Sequence, residues 1–413
     1  MTITEDITLI EGHRKITPAP GIPVWDVDPY DESILRDPQD YYRELRSKGE
    51  VVYIPKYSVL AVGRFETTRK VFSDHENFVS SRGVGLSDFK LGDPWRAPSI
   101  ILEVDPPEHT KTRKVMSRSL SPKVVKTFAE LFEQTAEKLV GDVLEKGTIE
   151  AVTELAEPFP TTVFPIAVGM TDTNARYLVD YGSMVFNAVG PDNALRREAM
   201  THVDEIVPWI TAACKRARLS GEGLGAMVYA CADEGEITEE EAGMLVRSFL
   251  SAGVDTTVTG IGNALMCFSQ NPDQWEALKE NPKLARQAFE EVLRYTSPVH
   301  TFGRTAGRAT EVAGFPVEED TKVLCVLGSA NMDPDKWGDP ENFRIDRKAI
   351  GHVAFGAGIH GCVGQNIARA ELEAVLGALL KRVDRIEPAG DPVWRPGNSI
   401  RALDKLPITF IAK

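Results

Sequence analysis

Between Thr238 and Gln270 the chain carries one helical pattern of about 32 residues, roughly 48 Å at 1.5 Å per residue. It opens on TEEE, where Thr238 as N-cap and Glu241 three residues on form a capping box. It stops at Asn271-Pro272. Ordinary helices run about 8–20 residues, so this one is expected to cross a whole large domain. Its middle, Phe249–Leu265, is apolar on nearly every side and reads as buried. Yet Asp255, Thr256 and Thr257 sit inside that part, just after Ala252-Gly253. Burying an unpaired carboxylate is expensive. Either a polar network satisfies it, or the helix opens around a ligand and the acid and alcohol handle protons.

A helix of that length needs a large core. The 413 residues, 42% hydrophobic, are sufficient for one. Most of the remaining pattern is also helical: Asp37–Gly49 with Asp37 as N-cap and Pro38 at N1, Pro122–Gly147, and Asn281–Pro298 with Asn281 as cap. Short β-like runs occur at Val51–Ile54, Ser58–Val62, Thr310–Phe315 and Lys322–Leu327. The fold class expected is therefore mainly α with a smaller β-rich part. Residues 1–30, rich in Pro and Asp, read as an N-terminal strap, and 31–413 as a single domain. The tail, Pro396–Lys413, is expected to include a β-turn lining a pocket.

The net charge of −14 argues against nucleic acid as a main partner. The N-terminus lacks the pattern of a signal peptide, and no run approaches the 18 apolar residues of a membrane span. No two of the five cysteines lie within four residues of each other, which excludes a CxxC motif and reads as a reduced, cytoplasmic-type protein.

One cysteine differs from the others. Residues 355–364 read FGAGIHGCVG, with four glycines in ten residues, and a helix follows from Val363 to Arg382. Such glycine density implies a backbone pressed against something or turned to positive φ. Cys362 stands at the N-terminus of that helix, where free N–H groups favour a thiolate. An inert buried thiol is the reading for Cys214, Cys231, Cys267 and Cys325. Glu291 and Arg294, three apart on one helix face, read locally as a surface ion pair.

This loop resembles the haem-binding loop of the cytochrome P450 family (Phe-x-x-Gly-x-x-x-Cys-x-Gly). Three further segments agree in order and spacing. Ala252–Thr257 resembles the oxygen-activation motif, Glu291-x-x-Arg294 the structural pair, and DPENFRIDR (Asp339–Arg347) the meander before the loop. The resemblance, from about Pro29 to the C-terminus, implies a cytochrome P450 fold with haem between the long central helix and the cysteine-loop helix. It implies non-covalent haem b with Cys362 as iron ligand, and Phe355 and Gly356 in the cradle. It also implies propionate ligands His109, Arg113, Arg304 and His360, the first two on a helix that Asp105 caps. The Glu291–Arg294 pair then becomes buried, with Arg347 as third member of its ion cluster and Arg344 as the alternative. The implied reaction inserts one atom of O2 into a substrate, with Thr256 handling oxygen and Asp255 relaying protons. A peroxide-driven enzyme fits the Asp255-Thr256 pair less well, and a haem sensor needs no such pair.

A closer resemblance is to the bacterial branch that oxidises para-substituted benzoates, as in O-demethylation of 4-methoxybenzoate. It rests on SSRGVGLSDFK (Ser80–Lys90), PWRAPSIILE (Pro94–Glu103), VFNAVGP (Val185–Pro191), VRSFLSAG (Val246–Gly253) and PVHTFGR (Pro298–Arg304). It implies that Arg96, Ser99 and Ser248, with Arg247 beside it, meet a substrate carboxylate. Leu102, Phe186, Ala252, Val299 and Phe302 would wall the ring. The chain departs from that branch at Val189 and Gly303, where Phe is usual, so a roomier pocket is expected. Another small molecule, such as a terpene or a biosynthetic intermediate, is the alternative substrate. Electrons must come from NAD(P)H through a [2Fe-2S] or similar ferredoxin and its reductase. Lys111, Arg113, Lys114, Arg118, Lys123 and Lys126, against Asp105 and Glu108, give Asp105–Lys126 a local +4 that would steer an acidic partner.

Overall fold

The computed structural model describes residues 14–413. The first thirteen residues of the expected strap lie outside that range. About 52% of the chain is helical, and the strands form small sheets.

The expected long helix is two helices, Glu239–Ala252 and Asp255–Gln270, separated at Gly253-Val254. Its capping box is present, with the Glu241 N–H donating to Thr238 Oγ1 at 3.1 Å and Thr238 N–H to Glu241 Oε2 at 2.7 Å. The break has a packing cause. A Cβ on Gly253 would lie 2.2 Å from Phe164 Cζ, so the backbone presses directly onto that ring. The carbonyls left over at the break are taken by side chains: Thr256 Oγ1 donates to Ala252 O at 2.6 Å and Thr257 Oγ1 to Gly253 O at 3.0 Å. Fourteen of the sixteen residues of Asp255–Gln270 are buried. Its threonines and glycines are poor helix formers, so burial on every side holds it helical. It packs between the Ala285–Thr296 and Gln365–Arg382 helices.

Other boundaries also differ from expectation. Pro38, not Asp37, precedes the Gln39–Lys48 helix. Pro122–Gly147 divides into a turn at Pro122–Val125, a 3-10 turn and the Ala129–Lys146 helix. Asn281 precedes a 3-10 turn, and the α-helix starts at Ala285 without a side-chain cap. Asp105 does not cap the His109 helix, Glu108–Ser119, because its carboxylate accepts the N–H groups of Ser80 and Ser81 at 2.9 and 3.2 Å. It therefore ties the 80–90 loop to the base of that helix.

The largest sheet runs in the order Val52–Ile54, Val59–Val62, Lys322–Val326, Thr301–Ala306, Phe78–Val79. Only the pair Val59–Val62 and Lys322–Val326 is parallel. Thr301–Ala306 carries Phe302 and Arg304 toward the central cavity. The C-terminal hairpin, Val393–Arg395 with Ala402–Lys405, does not line that cavity, contrary to expectation. Its turn braces the wall instead, since Asn398 Nδ2 donates to Asn187 O at 2.9 Å and to Asn193 Oδ1 at 3.1 Å.

Candidate active site

One cavity of about 270 Å³ lies between the broken central helix and the cysteine loop. Cys362 and Thr256 both line it. The loop's shape explains its glycines. Gly356 and Gly358 have φ of 70° and 68°, and the Cys362 N–H donates to Phe355 O at 2.7 Å. This fold-back holds the sulfur just ahead of the Gln365–Arg382 helix. Burial pushes the Cys362 thiol up, opposed by N–H donation from Gly364 and Gln365 and by the Arg113 and Arg369 charges. Those same groups stabilise a thiolate once a metal takes the sulfur.

Below the cavity the expected propionate set converges. Arg113, Arg304 and His360 line the cavity, and His109 lies behind His360, ring centroids 4.2 Å apart. Both His360 nitrogens and His109 Nε2 are buried without a hydrogen-bond partner. Burial and the Arg304 charge hold His360 down at about 3, so it is neutral. Arg304 is itself buried, giving one N–H to Gly303 O at 2.9 Å and stacking on Phe72 at 4.2 Å. Unpartnered donors and buried cations around one end of a cavity fit a group bearing two carboxylates. With Cys362, Phe355 and Gly356 on the adjoining wall, these residues fit haem b.

The proton pair is divided between two cavities. Thr256 faces the large one, whereas Asp255 lines a separate cavity of about 30 Å³ with Glu157 and Arg395. That space admits a water or two. Arg395 Nη2 donates to Asp255 Oδ1 at 3.2 Å, and Asp255 Oδ2 is buried without a partner. Burial pushes the Asp255 carboxyl up, against the Arg395 charge, and burial also raises Glu157. On the other side Thr257 Oγ1 lies 3.1 Å from Glu371 Oε2. Glu371 is fully buried and its carboxyl is pushed up to about 8 by desolvation.

All eight expected ring and carboxylate contacts, Arg96, Ser99, Leu102, Phe186, Ser248, Ala252, Val299 and Phe302, line the large cavity. Their charge is smaller than expected. Arg96 lies 3.3 Å from the Glu103 carboxylate, which also accepts the Ser99 N–H at 2.7 Å. Arg247 does not line the cavity and donates to Ala97 O and Pro98 O. Val189 lines the cavity, but Gly303 does not. A Cβ there would lie 3.0 Å from Gly85 O, so its smallness serves a backbone contact, not a larger pocket.

The ion cluster is buried and bidentate. Arg294 Nε and Nη2 donate to Glu291 Oε2 and Oε1 at 2.7 and 2.8 Å, with both side chains 0% exposed. Arg347 Nε adds a third bond to Glu291 Oε1 at 3.1 Å. Arg344 contributes only its backbone N–H, while its side chain pairs with Asp346 at 3.0 Å.

The expected basic face is largely neutralised. Lys111 pairs with Glu241 at 2.7 Å, and Lys114 and Arg118 with Glu236 at 3.2 and 2.7 Å. Arg113 faces the cavity. Lys123 and Lys126, exposed next to the cysteine helix, remain without an ion pair among the described residues. The acids responsible lie over a hundred residues downstream, beyond any local charge count. Distance in the chain likewise hid Arg395 and Glu371 as partners of the Asp255–Thr257 segment. Arg196, another cavity-lining cation, carries no motif at all.

Comparison with known proteins agrees with this geometry. The Cytochrome P450 family model matches residues 223–399. The chain is similar to Cytochrome p450 CYP199A2 of Rhodopseudomonas palustris, 46% identical over 389 residues covering 94% of each protein. It is 29% identical over 390 residues to the Beta-dihydromenaquinone-9 omega-hydroxylase of Mycobacterium tuberculosis, covering 92% of this chain and 78% of that one. Among solved structures it is similar to cytochrome P450 CREJ in complex with (4-ethylphenyl) dihydrogen phosphate. The TM-score is 0.84 at 26% identity, over 93% of this chain and 99% of that one. P450BioI in complex with acyl-carrier protein gives 0.83 at 27%, over 92% and 100%. No helix of the described residues is long and apolar enough to cross a membrane.

Proposed function

This chain belongs to the cytochrome P450 family, a haem-thiolate monooxygenase using non-covalent haem b, O2 and electrons from partner proteins, and from that premise we propose that its substrate is a small para-substituted aromatic acid. The leading reaction is O-demethylation: 4-methoxybenzoate, O2, two electrons and two protons give 4-hydroxybenzoate, formaldehyde and water. When bound through Cys362, haem supplies the oxygen activation, since a thiolate ligand pushes electron density onto iron and favours O–O cleavage.

The chain's own residues do the rest. Ser99 and Ser248 hydroxyls and the Arg96 guanidinium would take the carboxylate at one wall. Phe186, Phe302, Leu102, Val299 and Ala252 exclude water and hold the ring flat. The methoxy carbon is thereby directed toward Cys362. Thr256 offers a hydroxyl inside the cavity, and Asp255, its carboxyl raised by burial, would relay protons from the far side of the same helix turn. Oxygen inserted at the methyl carbon leaves a hemiacetal, which collapses to the phenol and formaldehyde. A ferredoxin would dock near Lys123 and Lys126. The cytoplasm is the compartment that five unpaired cysteines fit.

The observation that carries this reading is that Arg96, Ser99 and Ser248 line the same cavity as Phe186, Phe302 and Cys362. The solved neighbour bound to an anionic para-substituted arene supports it. The Glu103 carboxylate on Arg96 favours one competing reading, hydroxylation of a less acidic small molecule. Difference spectra of the ferric holoenzyme against a benzoate panel decide between them. A low-spin to high-spin shift with 4-methoxybenzoate at micromolar concentration, absent with neutral 4-methoxytoluene, is expected. A shift with the neutral arene alone rejects the acid.

A further inference from the structure

We propose that Arg196 forms a second anion-accepting point in the large cavity, so that the enzyme favours arenes carrying two acidic groups. This rests on the cavity being the substrate site. Its other cations are engaged or claimed. Arg96 has Glu103, and Arg113 and Arg304 stand in the haem cradle. Arg196 lines the same cavity, yet its guanidinium makes no ion pair or hydrogen bond with any described residue. The acid that acts on it is Asp192, whose carboxylate is taken by Arg197 at 3.2 Å.

A half-buried guanidinium without a counter-ion is unfavourable, and an anionic ligand supplies the missing partner. Its backbone is fixed in advance. The Asn193 side chain accepts the Arg196 N–H at 3.1 Å, and Asn193 is itself tied to Asn398 at 2.8 Å.

This point is distinct from the Arg96 wall. Arg96 stands in the loop before the Glu108–Ser119 helix, beside Glu103, whereas Arg196 stands on the Ala194–Ala199 helix. Val189, seven residues before Arg196, lines the same cavity. Preorganised and unpaired, Arg196 is suited to a carboxylate that Arg96 does not hold.

The test measures dissociation constants of ferric holoenzyme by the spin-state shift. The probes are 4-methoxybenzoate, 4-methoxyisophthalate and 4-methoxyphthalate. Wild type is expected to bind one diacid at least as tightly as the monoacid. Arg196→Gln should weaken that diacid about 10- to 100-fold, the range of a charge-assisted hydrogen bond, and shift the monoacid less than about twofold. Arg196→Lys should retain part of the diacid preference, and monoacid binding reports that each variant is folded. Equal losses for both ligands, no loss, or no diacid binding by wild type overturns the proposal. Loss of diacid binding in Arg196→Gln, with both ligands indifferent to Arg96→Gln, upholds it while rejecting the Arg96 wall.

Discussion

Arg395 holds one oxygen of the buried Asp255 carboxylate at 3.2 Å across 140 residues of sequence, and leaves the other without a partner. Its charge opposes the upward push of burial on that acid. Replacing Arg395 by Ala is expected to raise Asp255 further, moving the limb of the kcat–pH profile that Asp255 sets to higher pH. Arg395→Lys should return part of the shift, and Asp255→Asn should abolish the limb. An unmoved limb in Arg395→Ala separates Asp255 from the rate.

Thr256 places its hydroxyl in the large cavity at the helix break. Thr256→Ala should lower product formed per NADH consumed severalfold while leaving the substrate-induced spin shift intact, and Thr256→Ser should restore much of the yield. Unchanged coupling would falsify its assigned part.

The buried Glu371 makes stability pH-dependent in a definite direction. Its carboxyl is raised from 4.5 to about 8, so folding favours the protonated form. Stability is full below about pH 4.5, declines as pH rises toward 8, and is lowest above it. The span is on the order of 4–5 kcal/mol. Glu371→Gln should remove most of that decline in denaturant unfolding of the ferric protein between pH 5 and 8. Parallel curves for the two proteins would contradict it.

Glu291 satisfies two guanidinium groups, one of them fully buried. Glu291→Gln leaves the buried Arg294 without its counter-ion, while Arg347 keeps Asp339 at 2.9 Å, and should destabilise the protein by about 3–5 kcal/mol, with a lower Tm and loss of haem on gel filtration. Arg344→Ala should stay within about 0.5 kcal/mol, because only its backbone N–H serves the cluster.

Of the six cations of Asp105–Lys126, Lys123 and Lys126 have no ion pair among the described residues, while Lys111, Lys114 and Arg118 face acids. Lys123→Glu and Lys126→Glu should slow reduction by a ferredoxin several-fold at low salt, an effect that fades near 0.5 M as screening sets in. Lys114→Glu should matter less. Equal slowing by all three would point to net charge and not to a docking patch.

The cysteine loop is legible in the sequence because its requirements are local: positive φ at Gly356 and Gly358, and a thiol just ahead of a helix. The ring contacts are legible through the resemblance, and all of them line one cavity. The break in the central helix is only half legible. Gly253 marks the place, but the cause is Phe164, nearly ninety residues upstream. Arg96 reads as a free cation until Glu103 folds back on it. Asp255 and Thr256 read as one relay, and only the winding of the helix sends their side chains to different cavities. Charges and partners that depend on tertiary approach, such as Arg395, Glu371 and Arg196, have no local pattern to betray them.

Those two cavities on either side of one helix turn also bear on how such an enzyme can change. Substitutions at Val189, Phe186 or Arg196 reshape what the large cavity accepts without touching Arg395 or Glu157. Selection for a new substrate can therefore proceed residue by residue along one wall, while the buried Asp255 stays under its own, separate constraint.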